Sequence, residues 1–147
     1  MATRTARTAW NGTLPEGSGQ VELTSSGIGT FDVSFPRRTA DSAEGTTSPE
    51  ELIAAAHSSC YSMALAGEIA NAGGTPVAHQ VTADVTLRPD PAGGLRISAI
   101  HLTVRAEVTG MDADAFQAAA EAAKKGCPVS KALAGTTITL EATLIPA

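Results

Sequence analysis

Between Leu52 and Gly67 the chain carries no residue with a full charge, and this run constrains the fold more than any other segment. Ser48-Pro49-Glu50-Glu51 stands directly before it. Ser48 is suited to accept from free backbone amides, Pro49 fits the first helical position, and Glu51 completes a capping box. Gly73-Gly74 and Pro76 are stop signals, so one long helix is expected to run to about Asn71 or Ala72. Its residues are apolar nearly all the way round, which implies burial on most sides. The many alanines would admit a second helix closely. A chain of 147 residues has little material to wrap such a helix by itself, so a homodimer is expected.

The remaining segments alternate between strand and helix signals. Residues 5–11 and 19–24 read as short strands across a Gly/Pro turn. Ile28–Phe35 reads as a third strand, with Phe31, Val33 and Phe35 on one face. Pro36 is expected to end it, leaving Arg37–Thr47 as a polar loop. After the helix, Val81, Ala83, Val85 and Leu87 alternate with polar residues, and Asp90-Pro91-Ala92-Gly93-Gly94 reads as a hairpin turn. The next strand carries Leu95, Ile97 and Ala99 in one phase, then Ile100, Leu102, Val104, Ala106 and Val108 in the other. That slip near Ala99-Ile100 predicts a bulge or bend. A second helix opens near Asp112–Asp114 and closes at Lys124-Lys125-Gly126. A short third starts at Cys127-Pro128 and runs to about Leu133, and Thr137–Leu144 forms the last strand. The expected class is α+β, one domain over 1–147, with antiparallel strands packed on a long central helix.

Composition removes several functions. A net charge of −5 and only 3% aromatic residues argue against a nucleic-acid surface, which needs a basic stripe and stacking platforms. No stretch approaches the roughly 20 apolar residues of a membrane span. The first residues, Met1-Ala2-Thr3-Arg4-Thr5-Ala6-Arg7, lack the apolar core of a signal peptide, so a cytoplasmic location is expected. In a reducing compartment a permanent structural disulfide is not expected. The two cysteines and three histidines show no zinc-ligand spacing, and no metal or other cofactor is expected.

The chemistry that remains lies in few residues. Cys60, inside the uncharged helix, reads either as a small buried hydrophobe or as a reactive thiol needing a nearby cation. On its own helix only His57, one turn back, qualifies. Cys127 precedes Pro128 at a helix start and follows Lys124 and Lys125. The helix dipole and the lysines would favour its thiolate, although a capping or buried cysteine fits equally. Arg37 and Arg38 read as a solvated loop face or as a guanidinium for a carboxylate and a thiolate, with Glu50 or Glu51 as partner. Interaction with the helix N-terminus accounts for Glu51. Glu50 and Cys60 are ten residues apart, about 15 Å along one helix. They could approach if two copies of the helix pack antiparallel about a twofold; alternatively, the arginine loop could fold back over the helix.

Two longer segments then carry a resemblance. Gly45-Thr46-Thr47-Ser48-Pro49-Glu50-Glu51-Leu52-Ile53-Ala54-Ala55-Ala56-His57-Ser58-Ser59-Cys60-Tyr61-Ser62-Met63-Ala64-Leu65 resembles the first cysteine motif of the OsmC/Ohr family. Gly126-Cys127-Pro128-Val129-Ser130-Lys131-Ala132-Leu133 resembles the second. His57 and the Cys-Pro-Val-Ser run are closer to the OsmC branch. The resemblance implies an intertwined α/β homodimer with interfacial sites, and a thiol-dependent peroxidase acting on organic hydroperoxides and more weakly on hydrogen peroxide, in oxidative and osmotic stress defence. It further implies Cys60 as the peroxidatic cysteine and Cys127 as the resolving one. Glu50 would pair with a catalytic arginine, best matched by Arg38, with Arg37 and His57 as auxiliary candidates. Thr39 follows Arg38 where the family commonly has an aromatic, so the choice between Arg37 and Arg38 stays open. Tyr61 stands where phenylalanine is usual and would add a polar lip to the site. An external dithiol or a lipoylated protein would reopen the Cys60–Cys127 disulfide. A redox sensor and a non-catalytic dimeric binder of small apolar molecules are the competing readings.

Overall fold

The computed structural model describes residues 1–146, and the backbone gathers into two compact units, 1–52 and from Ile53 onward. In the first, β1 (Arg7–Asn11), β2 (Ser18–Glu22) and β3 (Thr30–Val33) form an antiparallel sheet in the order β1-β2-β3. The strand expected to reach Phe35 ends at Val33 instead. Ser34 caps a single helical turn, α1 (Phe35–Arg38), its hydroxyl accepting from the Arg37 amide. Pro36 is the cause, because its fixed φ suits the first positions of a helix as well as the end of a strand.

The long helix is present as α2 (Pro49–Asn71). The Ser48 hydroxyl accepts from the Glu51 amide at 3.2 Å, so half of the expected capping box forms. The Glu51 carboxylate takes the Thr47 hydroxyl instead of the Ser48 amide. At the other end Gly73 lies at φ +89. Its amide bonds to the Ala70 carbonyl and that of Gly74 to the Ile69 carbonyl, the paired closure of a Schellman motif. A side chain at a left-handed position is strained. Gly73→Ala is therefore expected to lower unfolding free energy by about 1 kcal/mol, read as a lower denaturant midpoint with an unchanged m-value.

In the second unit β4 (Thr75–Pro89), β5 (Leu95–Thr109) and β6 (Thr137–Ile145) form a sheet with β5 central. Alternate residues of β5, from Ile100 through Leu102, Val104 and Ala106 to Val108, are buried. They meet Tyr61, Leu65 and Ile69 of α2 and Phe116, Ala119, Ala120 and Ala123 of α3 (Ala113–Gly126) in one core. The phase slip near Ala99 is a bulge: Thr86 faces Ala99 while Leu87 faces Ile97, leaving Ser98 unpaired. The first sheet is antiparallel throughout, but β6 runs parallel to β5. The chain returns to the start of β5 through α3 and α4 (Pro128–Ala132), the helical crossover that parallel pairing requires.

Burial of α2 is narrower than its composition suggests. Within the second unit His57, Tyr61, Leu65 and Ile69, spaced one turn apart, are fully buried, while Met63 on the opposite face is 76% exposed. An apolar composition does not define a stripe, and the sheet covers only one side.

Candidate active site

Cys60 leaves α2 one turn beyond His57, and Cys127 is the N-cap of α4, with Pro128 next. Their Sγ atoms are 3.1 Å apart, about 1 Å beyond the length of a formed disulfide. Both are reduced. Cys127 is completely sealed and Cys60 is half-buried, so only one sulfur of the pair has access to solvent.

Electrostatics distinguish the two thiols. Burial pushes the Cys60 thiol up; hydrogen bonding to Cys127 adds to this, and the Val129 amide only partly offsets it. Burial also opposes ionisation of Cys127. There, however, the neighbouring Cys60 thiol and the polar groups of Ser130 and Val129 in the first turn of α4 prevail, and its pKa lies below the ordinary thiol value. Within this unit the surroundings thus favour the charged form of Cys127 over that of Cys60. Lys124 and Lys125 are not the cause, contrary to the sequence-based expectation. The hydrogen-bond donors of the first α4 residues act on Cys127, and Lys124 pairs with Glu121 at 3.2 Å.

His57 is no cation for Cys60 either. It is fully buried, and burial pushes its pKa down. Its Nε2 lies 2.8 Å from the Ser130 hydroxyl, and its Nδ1 has no hydrogen-bond partner among the described residues. Tyr61 forms no polar lip: it is fully buried and donates its hydroxyl to the Ala120 carbonyl at 2.9 Å. The helical spacing that sets Cys60 at the half-buried edge turns the next residue into the core.

In the first unit the two arginines separate. Arg38 Nε lies 3.0 and 3.2 Å from the two carboxylate oxygens of Glu50, and its Nη2 is 2.8 Å from Oε1. Glu50 is only 8% exposed. The donor fork of Arg38 thus holds the carboxylate at both oxygens. Arg37 turns outward to Glu44, 2.7 Å away, in an exposed pair. Beside Arg38 lies a cavity of about 370 Å³ walled mainly by Trp10, Leu14, Val21, Phe35 and Leu52. Neither Ser130 nor these wall residues were singled out by sequence. For Ser130 a signal existed: a hydroxyl near the start of the helix that Cys127 caps.

Two thiols in contact, one sealed and one reachable, form an arrangement suited to thiol redox chemistry. The family described as OsmC-like protein matches residues 41–141. The chain is 40% identical to the peroxiredoxin OsmC of Escherichia coli over 84% of its length and 85% of that protein's. Among solved structures, the organic hydroperoxide resistance protein OhrB of Bacillus subtilis is 26% identical with a TM-score of 0.68. It is matched over 95% of this chain and 98% of its own. An OsmC-like protein of Vibrio cholerae shares the fold at a TM-score of 0.76 and 17% identity, over 97% and 100% of the two chains. The chain belongs to the OsmC family.

Proposed function

We infer that this protein is a peroxiredoxin-like enzyme, and that it reduces organic hydroperoxides through a Cys60–Cys127 disulfide cycle. The observation carrying this reading is the 3.1 Å approach of two unbonded sulfurs of unequal access, in a chain similar to a peroxiredoxin. The half-buried Cys60 attacks as thiolate on one peroxide oxygen; the O–O bond breaks and the alcohol leaves. Cys60 is left as a sulfenic acid. Cys127 then displaces its hydroxyl: the S–S bond forms, the S–O bond breaks, and water carries off the thiol proton. An external dithiol, free or on a lipoylated protein, reduces the disulfide and closes the cycle.

The surroundings of the thiols in the second unit favour charge on Cys127, so attack by Cys60 calls for an added cation. We assign that role to Arg38, oriented by Glu50. The guanidinium stabilises the Cys60 thiolate and the charge that develops on the departing oxygen. A homodimer in which one copy supplies the Arg38–Glu50 pair to the thiols of the other is the arrangement we favour. It also uses the open face of α2 around Met63. The apolar wall of Trp10, Leu14 and Phe35 next to Arg38 then receives the alkyl part of the substrate.

Peroxide consumption supported by dithiothreitol tests this reading across a series from hydrogen peroxide through tert-butyl and cumene hydroperoxides to a fatty-acid hydroperoxide. Catalytic efficiency is expected to rise with the apolar part by at least about tenfold over the series, since burial of each methylene contributes about 0.8 kcal/mol. Trp10→Ala and Leu14→Ala should flatten it. Equal efficiencies for hydrogen peroxide and the bulky substrates contradict the assigned substrate class, and oxidation without sustained turnover indicates a sensor.

A further inference from the structure

The Cys60–Cys127 cycle leaves unused a buried polar chain that ends on the second sulfur. His57 Nε2 is 2.8 Å from Ser130 Oγ, Ser130 lies in the first turn of the helix that Cys127 caps and favours the Cys127 thiolate, and Cys127 Sγ is 3.1 Å from Cys60 Sγ. His57 and Cys127 are completely buried, and Ser130 is 6% exposed. A histidine in such a place, with one ring nitrogen unpartnered among the described residues, is an unusual way to fill a core, and its hydrogen bond is the feature that calls for explanation.

Tautomer chemistry decides which way the chain points. If the ring proton sits on Nδ1, a buried N–H has no acceptor, and the Ser130 hydroxyl is drawn to Nε2 and away from Cys127. If it sits on Nε2, that N–H donates to Ser130 Oγ, the Ser130 hydroxyl is free to donate to Cys127 Sγ, and only a lone pair is orphaned. Orphaned buried N–H groups are the rarer defect, so the second arrangement is preferred. Burial keeps the imidazole neutral, as this direction of donation requires. The titratable groups that couple to Cys127 are Cys60 and Tyr61, both from α2. Lys124 of α3 is engaged with Glu121.

We infer that His57 is a positioning residue for the resolving half-reaction: by donating to Ser130 it turns the serine hydroxyl onto Cys127 Sγ and readies that sulfur as the thiolate that closes the disulfide. The inference rests on the reading of Cys127 as the resolving thiol. It gives the sealed cysteine its own activating group, separate from the arginine assigned to Cys60. In the closing step the Cys127 lone pair forms the S–S bond while the S–O bond of the Cys60 sulfenic acid breaks. The hydroxide released takes up the proton lost from Cys127 and leaves as water. Cys127 is oxidised and the Cys60 sulfur reduced, so no further reactant is needed.

Two measurements test it. The first is the Cys127 thiolate titration, followed by ultraviolet absorbance in a Cys60→Ser background. His57→Leu and Ser130→Ala should each raise the midpoint by about one pH unit, the order expected for a lost hydrogen bond to a charged group. The two together should raise it no further than either alone. His57→Gln, which keeps an N–H donor, should retain most of the effect. The second is the rate of disulfide closure after one equivalent of cumene hydroperoxide in chains that keep both cysteines. A tenfold smaller thiolate fraction is partly offset by the greater nucleophilicity of a more basic sulfur. Closure in His57→Leu should therefore slow by roughly threefold near neutral pH and match or exceed wild type at alkaline pH. A merely loosened core slows closure equally at every pH. That result, an unmoved midpoint in His57→Leu, or additive effects of the two substitutions would overturn the relay. Ser130→Ala removes a single atom and keeps the test decisive if His57→Leu does not fold. A wild type that forms no Cys60–Cys127 disulfide overturns the peroxidase reading instead, while the Cys127 midpoint still reads the relay.

Discussion

Cys60→Ser is expected to abolish dithiothreitol-supported peroxide consumption, with a loss of at least about a thousandfold, because the attacking sulfur is removed and the thiol beside it, Cys127, is sealed from substrate. Cys127→Ser should behave differently. Its Cys60 still reacts with the first equivalent of peroxide, but the sulfenic acid has no partner 3.1 Å away and persists. Dimedone should label that chain and not the wild type, and excess peroxide should carry it on to sulfinic acid. The unequal exposure of the two sulfurs makes this asymmetry necessary, since Cys127 is sealed and has no route to substrate. Equal loss in both variants, without a trapped sulfenic acid in Cys127→Ser, contradicts the assignment of roles.

The second large effect concerns the charge that makes Cys60 reactive. Burial pushes its thiol up, so in the absence of a cation the thiolate is scarce at neutral pH. Arg38→Met is expected to slow the peroxide step by about a hundredfold to a thousandfold, the usual cost of losing one preorganised donor to developing charge. The sign of the pH effect follows. The thiolate is the reactive form, so raising the Cys60 pKa moves the rising limb of the pH–rate profile to higher pH, and the variant recovers part of its rate in alkali. Glu50→Gln, which leaves the guanidinium but loosens its two-oxygen grip, should cost less. Arg37→Met should cost little, because the exposed Arg37–Glu44 pair is of the weak surface kind. Stopped-flow measurement of sulfenic acid formation across pH separates these outcomes.

Legibility from sequence followed the range of the interactions. The start of α2 at Ser48-Pro49, its stop at Gly73 and the bulge in β5 rest on contacts within a few residues, and local chemistry dictates each. The direction of β6 depends on where two helices carry the chain, and no local signal encodes it. Tyr61 was misread for a related reason: its identity suggested a polar edge, but the α2 stripe of His57, Tyr61, Leu65 and Ile69 decides which way it points. The two cysteine segments were singled out by sequence, yet the meeting of Cys60 with Cys127 is a product of tertiary packing between α2 and α4. Ser130, read only as part of the Cys-Pro-Val-Ser run, has no evident role of its own in sequence, because its significance appears only once a buried imidazole lies against it. The separation of Arg38 from Arg37 likewise needed the α1 turn, a single cap at Ser34 that a polar loop conceals.

The most direct measurement of the central claim is peptide mapping of the wild-type chain after one equivalent of cumene hydroperoxide, with free thiols alkylated on quenching. One dominant oxidised product is expected, a peptide pair joined through Cys60 and Cys127 within a single chain, with neither sulfur alkylated and dithiothreitol restoring both. Recovery of an alkylated Cys127 beside an oxidised, unlinked Cys60 would contradict it.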